Sequence, residues 1–196
     1  MLQKLLWNDI ARNGVLIGLV MSGFRLFDIS TMMSGSVNFA VITSISNILS
    51  FVIYVVLVRY AVVKFEAKLP EQIPFGYMQS LSFISLTSIL ASVWVAFSST
   101  VVISQVVGFE NYIDGYISSV NAMIEMGGDS LGDFSTQFAA TTIESLKSSK
   151  EPTIIDSIFG TAFIYIMKSL IVGVPLSIWT RRKVKPVSNS KEQADE

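Results

Sequence analysis

From Met78 to Val107 the chain runs without a single charged residue. A helix needs roughly 20 mostly apolar residues to cross the hydrocarbon core of a bilayer, so this stretch alone sets the class of fold. Three more segments share its character. Val41 to Val58 is uncharged and rich in Val and Ile, and Ile154 to Trp179 is interrupted only by Asp156 and Lys168. Gly14 to Phe24 is apolar, and after Arg25 and Asp28 the apolar pattern resumes at Ile29 and continues to Met33. Composition agrees: 15% of the residues are charged, against roughly 25% in a soluble domain, too few to cover a water-facing surface. The expectation is an all-α integral membrane protein with four transmembrane helices over about residues 12–33, 41–63, 78–107 and 154–180. They form a single four-helix membrane domain within residues 1–183. The first segment resembles a signal peptide in its basic start and apolar core, but no small-x-small site closes that core, so it is read as retained.

Orientation follows from Lys and Arg in the connecting segments. Lys4 and Arg12 precede the first span, Arg59, Lys64 and Lys68 follow the second, and Arg181, Arg182, Lys183, Lys185 and Lys191 follow the fourth. The other two loops hold only Lys147 and Lys150. Both termini are therefore expected in the cytoplasm, with Trp7, Tyr60, Tyr77 and Trp179 at the inner interface, where such rings prefer to sit.

The sizeable segment on the far side, about residues 108–152, is acidic, with Glu110, Asp114, Glu125, Asp129, Asp133, Glu144 and Glu151. Apolar residues recur at helical spacing from Phe109 to Ile124, Gly127-Gly128-Asp129 breaks the pattern, and a second helix is expected from Ser130, with Asp133 completing a capping box. Two amphipathic extracytoplasmic helices follow, serving as a lid over the bundle or as a docking surface. The polar tail over residues 184–196 is expected to be disordered.

The chain contains no cysteine and no histidine. That removes thiol nucleophiles, thiolate metal sites and the commonest metal ligand. There is no phosphate-cradling glycine loop and no nucleophile elbow. The sequence gives no sign of an enzyme, a metal site, a cofactor or a nucleic-acid partner.

Charges inside a bilayer are costly, about 2.5–3.5 kcal/mol each at its centre, so Arg25, Asp28 and Lys168 need an account. Arg25 and Asp28 share a helix face, and counting about 1.5 Å per residue from the inner ends puts Arg25 and Lys168 at similar depth. The expectation is an intramembrane polar cluster with Asp28 shared between two cations, either binding an ion or anionic substrate or fixing the register of spans one and four. Small residues at four-residue spacing, Gly14, Gly18 and Ser22 in span one and Ser169, Gly173 and Ser177 in span four, predict that these two helices pack together, with Gly18 near Gly173. Ser85, Ser88, Ser92 and Ser99 share a face of span three and are read as packing contacts. Pro175 predicts a kink near the inner end of span four.

The layout resembles domain-of-unknown-function family 4199, bacterial inner-membrane proteins of Bacteroidetes type. The resemblance rests on Asn13-Gly14 and Gly18, Arg59-Tyr60, Ile73-Pro74-Phe75-Gly76, Glu151-Pro152-Thr153, and Ser169-Leu170-Ile171 closing on Arg181-Arg182-Lys183. It implies the four-span topology and an inner-membrane location, and carries no activity. The functional expectation is a non-catalytic scaffold or accessory subunit of a cell-envelope complex, associating with another envelope protein or with itself. The alternative is a small homo-oligomeric transporter or channel built around Arg25, Asp28 and Lys168.

Overall fold

The structure is a computed structural model and describes residues 2–34, 38–70, 73–127 and 132–180. Its elements are helical: α1 (Leu2–Met33), α2 (Phe39–Lys68), α3 (Tyr77–Val101) with a π-helical extension (Val102–Val107), α4 (Phe109–Gly127), α5 (Gly132–Lys147) and α6 (Ile154–Trp179). Four of them, α1, α2, α3 with its extension, and α6, are long and apolar enough to cross a membrane. Two boundaries differ from expectation. α1 begins at Leu2 and α2 continues to Lys68, because Leu5, Leu6, Ile10, Phe65 and Leu69 pack into the core there. The charges that mark an interface in the sequence do not end these helices. Buried Asp9 instead forms an ion pair with Lys68, tying α1 to the end of α2.

We call the end that carries Asp9, Lys68, Tyr77 and Trp179 the lower end, and the end that carries Met33, Val107 and Ile154 the upper end. α3 is the organising element: α1 lies along one side of it, α6 along another, and α2 packs chiefly on α1. The expected contact between α1 and α6 is not formed, and the two share no extended interface. Their small faces are both used, but against α3. A Cβ on Gly18 would sit 2.7 Å from Trp94 Cβ and 2.9 Å from the Ala91 carbonyl oxygen, and one on Gly173 would sit 2.9 Å from Leu81 Cδ1. A Cβ on Gly14 would meet Leu90 at 2.9 Å. Ser22, Ser169 and Ser177 are buried on the same faces. The physical reason is that α3 itself is narrow, with Ser80, Ser88, Ala91 and Ser92 fully buried, so it accepts a close neighbour on each side. Spacing of small residues reports close approach; it does not name the partner.

The serines of α3 do what the sequence implies. Ser88 donates to the Ile84 carbonyl and accepts from the Tyr54 hydroxyl at 2.6 Å, which fastens α2 to α3. Ser85 meets Ser169 of α6 at 3.3 Å, and Ser92 and Ser99 bond back to carbonyls of their own helix. Below these contacts the bundle is solid. Phe65 stacks on Phe83 with centroids 4.7 Å apart and meets Phe75 edge-on at 5.7 Å, with Val58, Val62 and Ile84 buried around them. Tyr54 and Tyr165 meet edge-to-face at 5.9 Å and bring α2 against α6, and the Arg59 guanidinium lies 5.5 Å from the Trp179 ring centroid at the lower end. The outer surface is apolar: Ile48, Phe159, Phe163 and Ile171 are all more than half exposed, which acyl chains tolerate and water does not. α6 runs unbroken through Pro175, and its upper end is closed by a capping box in which the Thr153 hydroxyl accepts from the Asp156 backbone N–H while Asp156 accepts from the Thr153 backbone N–H. Ser130 of the expected cap and the tail over residues 184–196 lie outside the described residues.

The contrast between two glycines of α1 tests this packing. Gly18 has no room for a methyl group, whereas nothing lies within 4 Å of a Cβ at Gly23. Gly18→Ala should cost about 1–3 kcal/mol through overpacking, and Gly23→Ala should be neutral or stabilising by up to about 1 kcal/mol from helix propensity. Unfolding of the purified protein in detergent measures both.

Candidate functional site

Above the Tyr54–Tyr165 contact the helices part and enclose a cavity of about 580 Å³. α1 lines it with Met21, Phe24, Arg25 and Asp28, α2 with Asn47 and Ser50, and α3 with Val95, Ser99 and Thr100. α6 supplies the opposite wall, including Asp156, Thr161, Tyr165 and Lys168. The π-helical turn adds Ile103 and Ser104, and α4 adds Phe109 and Tyr112. Charged side chains facing a cavity among apolar helices are the arrangement in which intramembrane charges have a use.

The three charges singled out by the sequence all line this space, but not as the expected cluster. Among the described residues Lys68–Asp9 is the ion pair within 4.0 Å; Asp28 pairs with neither Arg25 nor Lys168 at that distance. Arg25 instead donates to the Tyr112 hydroxyl of α4 at 3.4 Å, and the Lys168 ammonium lies 5.2 Å from the Tyr165 ring centroid. One Asp28 carboxylate oxygen is buried with no hydrogen-bond partner. Nor do Arg25 and Lys168 share a depth. Gly18 packs at Ala91 and Trp94, and Arg25 is two turns further up; Ser169 packs at Ser85, well below Ala91 on the same helix. At 1.5 Å per residue their backbones are separated by about 20 Å along the bundle. Counting from assumed ends of the spans fails because α1 extends far below its apolar core. Lys168 marks the depth of the cavity, and Arg25 and Asp28 its upper part.

The remaining carboxylates are engaged. Glu151 accepts from the Ser104 hydroxyl, which joins the segment before α6 to the π-helical turn, and Asp156 is held in the α6 cap. Among the described residues no group of three acidic side chains is placed to hold a metal ion. The π-helical turn ends at Gly108, whose φ of +83° turns the chain into α4 at low steric cost. π-helical turns recur at functional sites, and this one displays Ser104 toward the cavity. α4 then packs over the upper ends of α1 and α2: Met33 abuts Gly115, where a Cβ would lie 3.0 Å from the sulfur. Glu110 and Asp114 face away, exposed, while Tyr112 and Ile113 are half-buried. α4 thus covers part of the upper end of the bundle.

Sequence reasoning missed Tyr54 and Tyr165, whose rings close the space below, and Tyr112, which reaches Arg25. Tyrosines mid-span with hydroxyls to satisfy are the signal that was available. Below the site, Tyr54, Phe65, Phe75 and Phe83 are buried and packed on one another or on Tyr165.

The model of the family described as "Protein of unknown function (DUF4199)" matches residues 12–182. No curated protein and no solved structure matches the chain.

Because the chain contains no native cysteine, single cysteines report accessibility cleanly. Thr161→Cys, on the cavity wall, should react with a small charged methanethiosulfonate in folded protein, whereas Ser88→Cys, buried below, should not. Equal reaction at both positions would mean that water passes through the Tyr54–Tyr165 level.

Proposed function

We propose that this chain, which belongs to the DUF4199 family, is a non-catalytic component of the bacterial inner membrane that binds the charged group of a ligand in its cavity, as an accessory subunit of a cell-envelope complex. The observation that carries this reading is that Arg25 and Lys168 line a cavity with, among the described residues, no carboxylate within 4.0 Å of either, while an Asp28 oxygen is buried without a hydrogen-bond partner. Charges that served only to fix helix register would be paired with one another. Cations left unpaired in a membrane cavity are the usual mark of a binding or transport site. The non-catalytic part rests on the lack of Cys and His in the chain. We place both termini in the cytoplasm and α4 and α5 outside it, on the bias of Lys and Arg toward the lower-end segments. The cavity then lies in the outer half of the bilayer and opens toward the periplasmic side. Transport by a homo-oligomer is the second reading; the cavity favours it only if association creates a path across the membrane.

Two measurements test this. Membrane-impermeant maleimide applied to intact cells should label Asp114→Cys, and should label Trp7→Cys only after permeabilisation. Native mass measurement of the protein gently extracted from its own membranes should find a bound non-covalent ligand that is lost in Arg25→Gln and Lys168→Met. Identical contents in wild type and both variants would contradict the binding reading, and a partner chain of constant stoichiometry would support the accessory one.

A further inference from the structure

A second concavity, about 530 Å³ and almost wholly apolar, lies immediately beside the charged one. It runs between α1 and α2 along Val20, Gly23, Phe27, Ile42, Ile45 and Leu49. Phe24 lines both spaces. The division continues residue by residue: Gly23 belongs to the groove and Arg25 to the cavity, Ser46 to the groove and Asn47 to the cavity, Leu49 to the groove and Ser50 to the cavity. A charged volume and an apolar one thus share a wall at one level of the membrane. From Val20 to Phe27 the groove follows α1 for about 10 Å, enough for a substantial length of extended acyl chain. Gly23 keeps it open, since nothing lies within 4 Å of the position its Cβ would take.

We propose that cavity and groove together hold one phosphate-bearing lipid. Its phosphate sits on Arg25, and one acyl chain lies along the groove. The inference deepens the binding reading above and rests on it. The lining holds two cations and three carboxylates, but two of the carboxylates are held elsewhere, Glu151 by Ser104 and Asp156 in the α6 cap, and among the described residues none lies within 4.0 Å of Arg25, so the anion site is local to that guanidinium. Guanidinium, with its fork of donors, suits a phosphate, and Arg25 spends only one long bond on Tyr112. The groove favours a lipid over a soluble anion, because an apolar groove beside the anion site has no role for a ligand without a chain. The surrounding membrane supplies such molecules from the side, past Phe24, without displacing α4.

Full-length protein in dodecyl maltoside can be titrated with dioleoyl phosphatidic acid, with dioleoylglycerol, which has the chains without the phosphate, and with inorganic phosphate, following the unfolding midpoint. We expect phosphatidic acid to bind at least about tenfold more tightly than either of the others, the scale of one charge-assisted hydrogen bond. Arg25→Gln should abolish the preference for phosphatidic acid over dioleoylglycerol. Gly23→Leu, which fills the groove where there is room, should weaken phosphatidic acid about tenfold or more and leave inorganic phosphate unchanged. Full phosphatidic acid affinity in Gly23→Leu would overturn the placement of the chain. Inorganic phosphate binding as tightly as phosphatidic acid would overturn the lipid inference while leaving the charged-cavity reading intact. No response to any of the three would also overturn it, and the native mass measurement then decides the cavity reading separately. A co-purifying ligand without phosphorus or an acyl chain would sink this inference alone.

Discussion

The close approach of α1 and α6 to the two sides of α3 governs the rest of this molecule. In lipid there is no hydrophobic drive between helices, so association depends on packing contacts and on interhelical hydrogen bonds. Gly14, Gly18 and Gly173 bring backbones near enough for both, and the serines of α3 bond either across the interface or back into their own helix. Because that seam and the aromatic block around Phe65, Phe75 and Phe83 hold the lower half, the upper half is left free to be hollow. Stability and cavity are divided between the two ends of one bundle.

That division explains how polar groups of opposite character coexist here. Tyr54, Ser88 and the Ile84 carbonyl form a satisfied chain in the tightly packed region. Asp9 and Lys68 form an ion pair at the lower end through one carboxylate oxygen, the other being buried without a hydrogen-bond partner. In the cavity Arg25 and Lys168 contact aromatic groups and, among the described residues, no carboxylate within 4.0 Å, and Asp28 keeps an oxygen unmatched. The apolar groove on the far side of Phe24 extends the same site toward the lipid.

Much of the fold was legible in the sequence, and for identifiable reasons. Uncharged length fixed the existence of the four long helices, since a bilayer imposes a minimum span that composition either meets or does not. The serine stripe of α3 was read as packing, and it packs. Small-residue spacing located the close-approach faces of α1 and α6 correctly and their partner wrongly, because a motif records how near a neighbour comes and a third helix offered the same opportunity. The depth of Arg25 relative to Lys168 does not follow from charge, because α1 continues below Arg12 to Leu2 on buried Ile10 and the Asp9 pair, while α6 ends where the sequence implies. The cavity itself was not legible. It arises where helices diverge, and its tyrosines come from α2, α4 and α6, a conjunction that no local pattern encodes.

The account stands on the claim that Arg25 and Lys168 are retained for a ligand and do not hold the helices together. The direct measurement is the thermal stability of Lys168→Met in ligand-free detergent solution, compared with wild type. A side chain of similar length without the charge removes an unpaired cation from the cavity, so the account predicts an unchanged or raised unfolding midpoint. A fall equivalent to more than about 1 kcal/mol, the scale of a lost structural interaction, would contradict it and return these charges to the role of fixing the bundle.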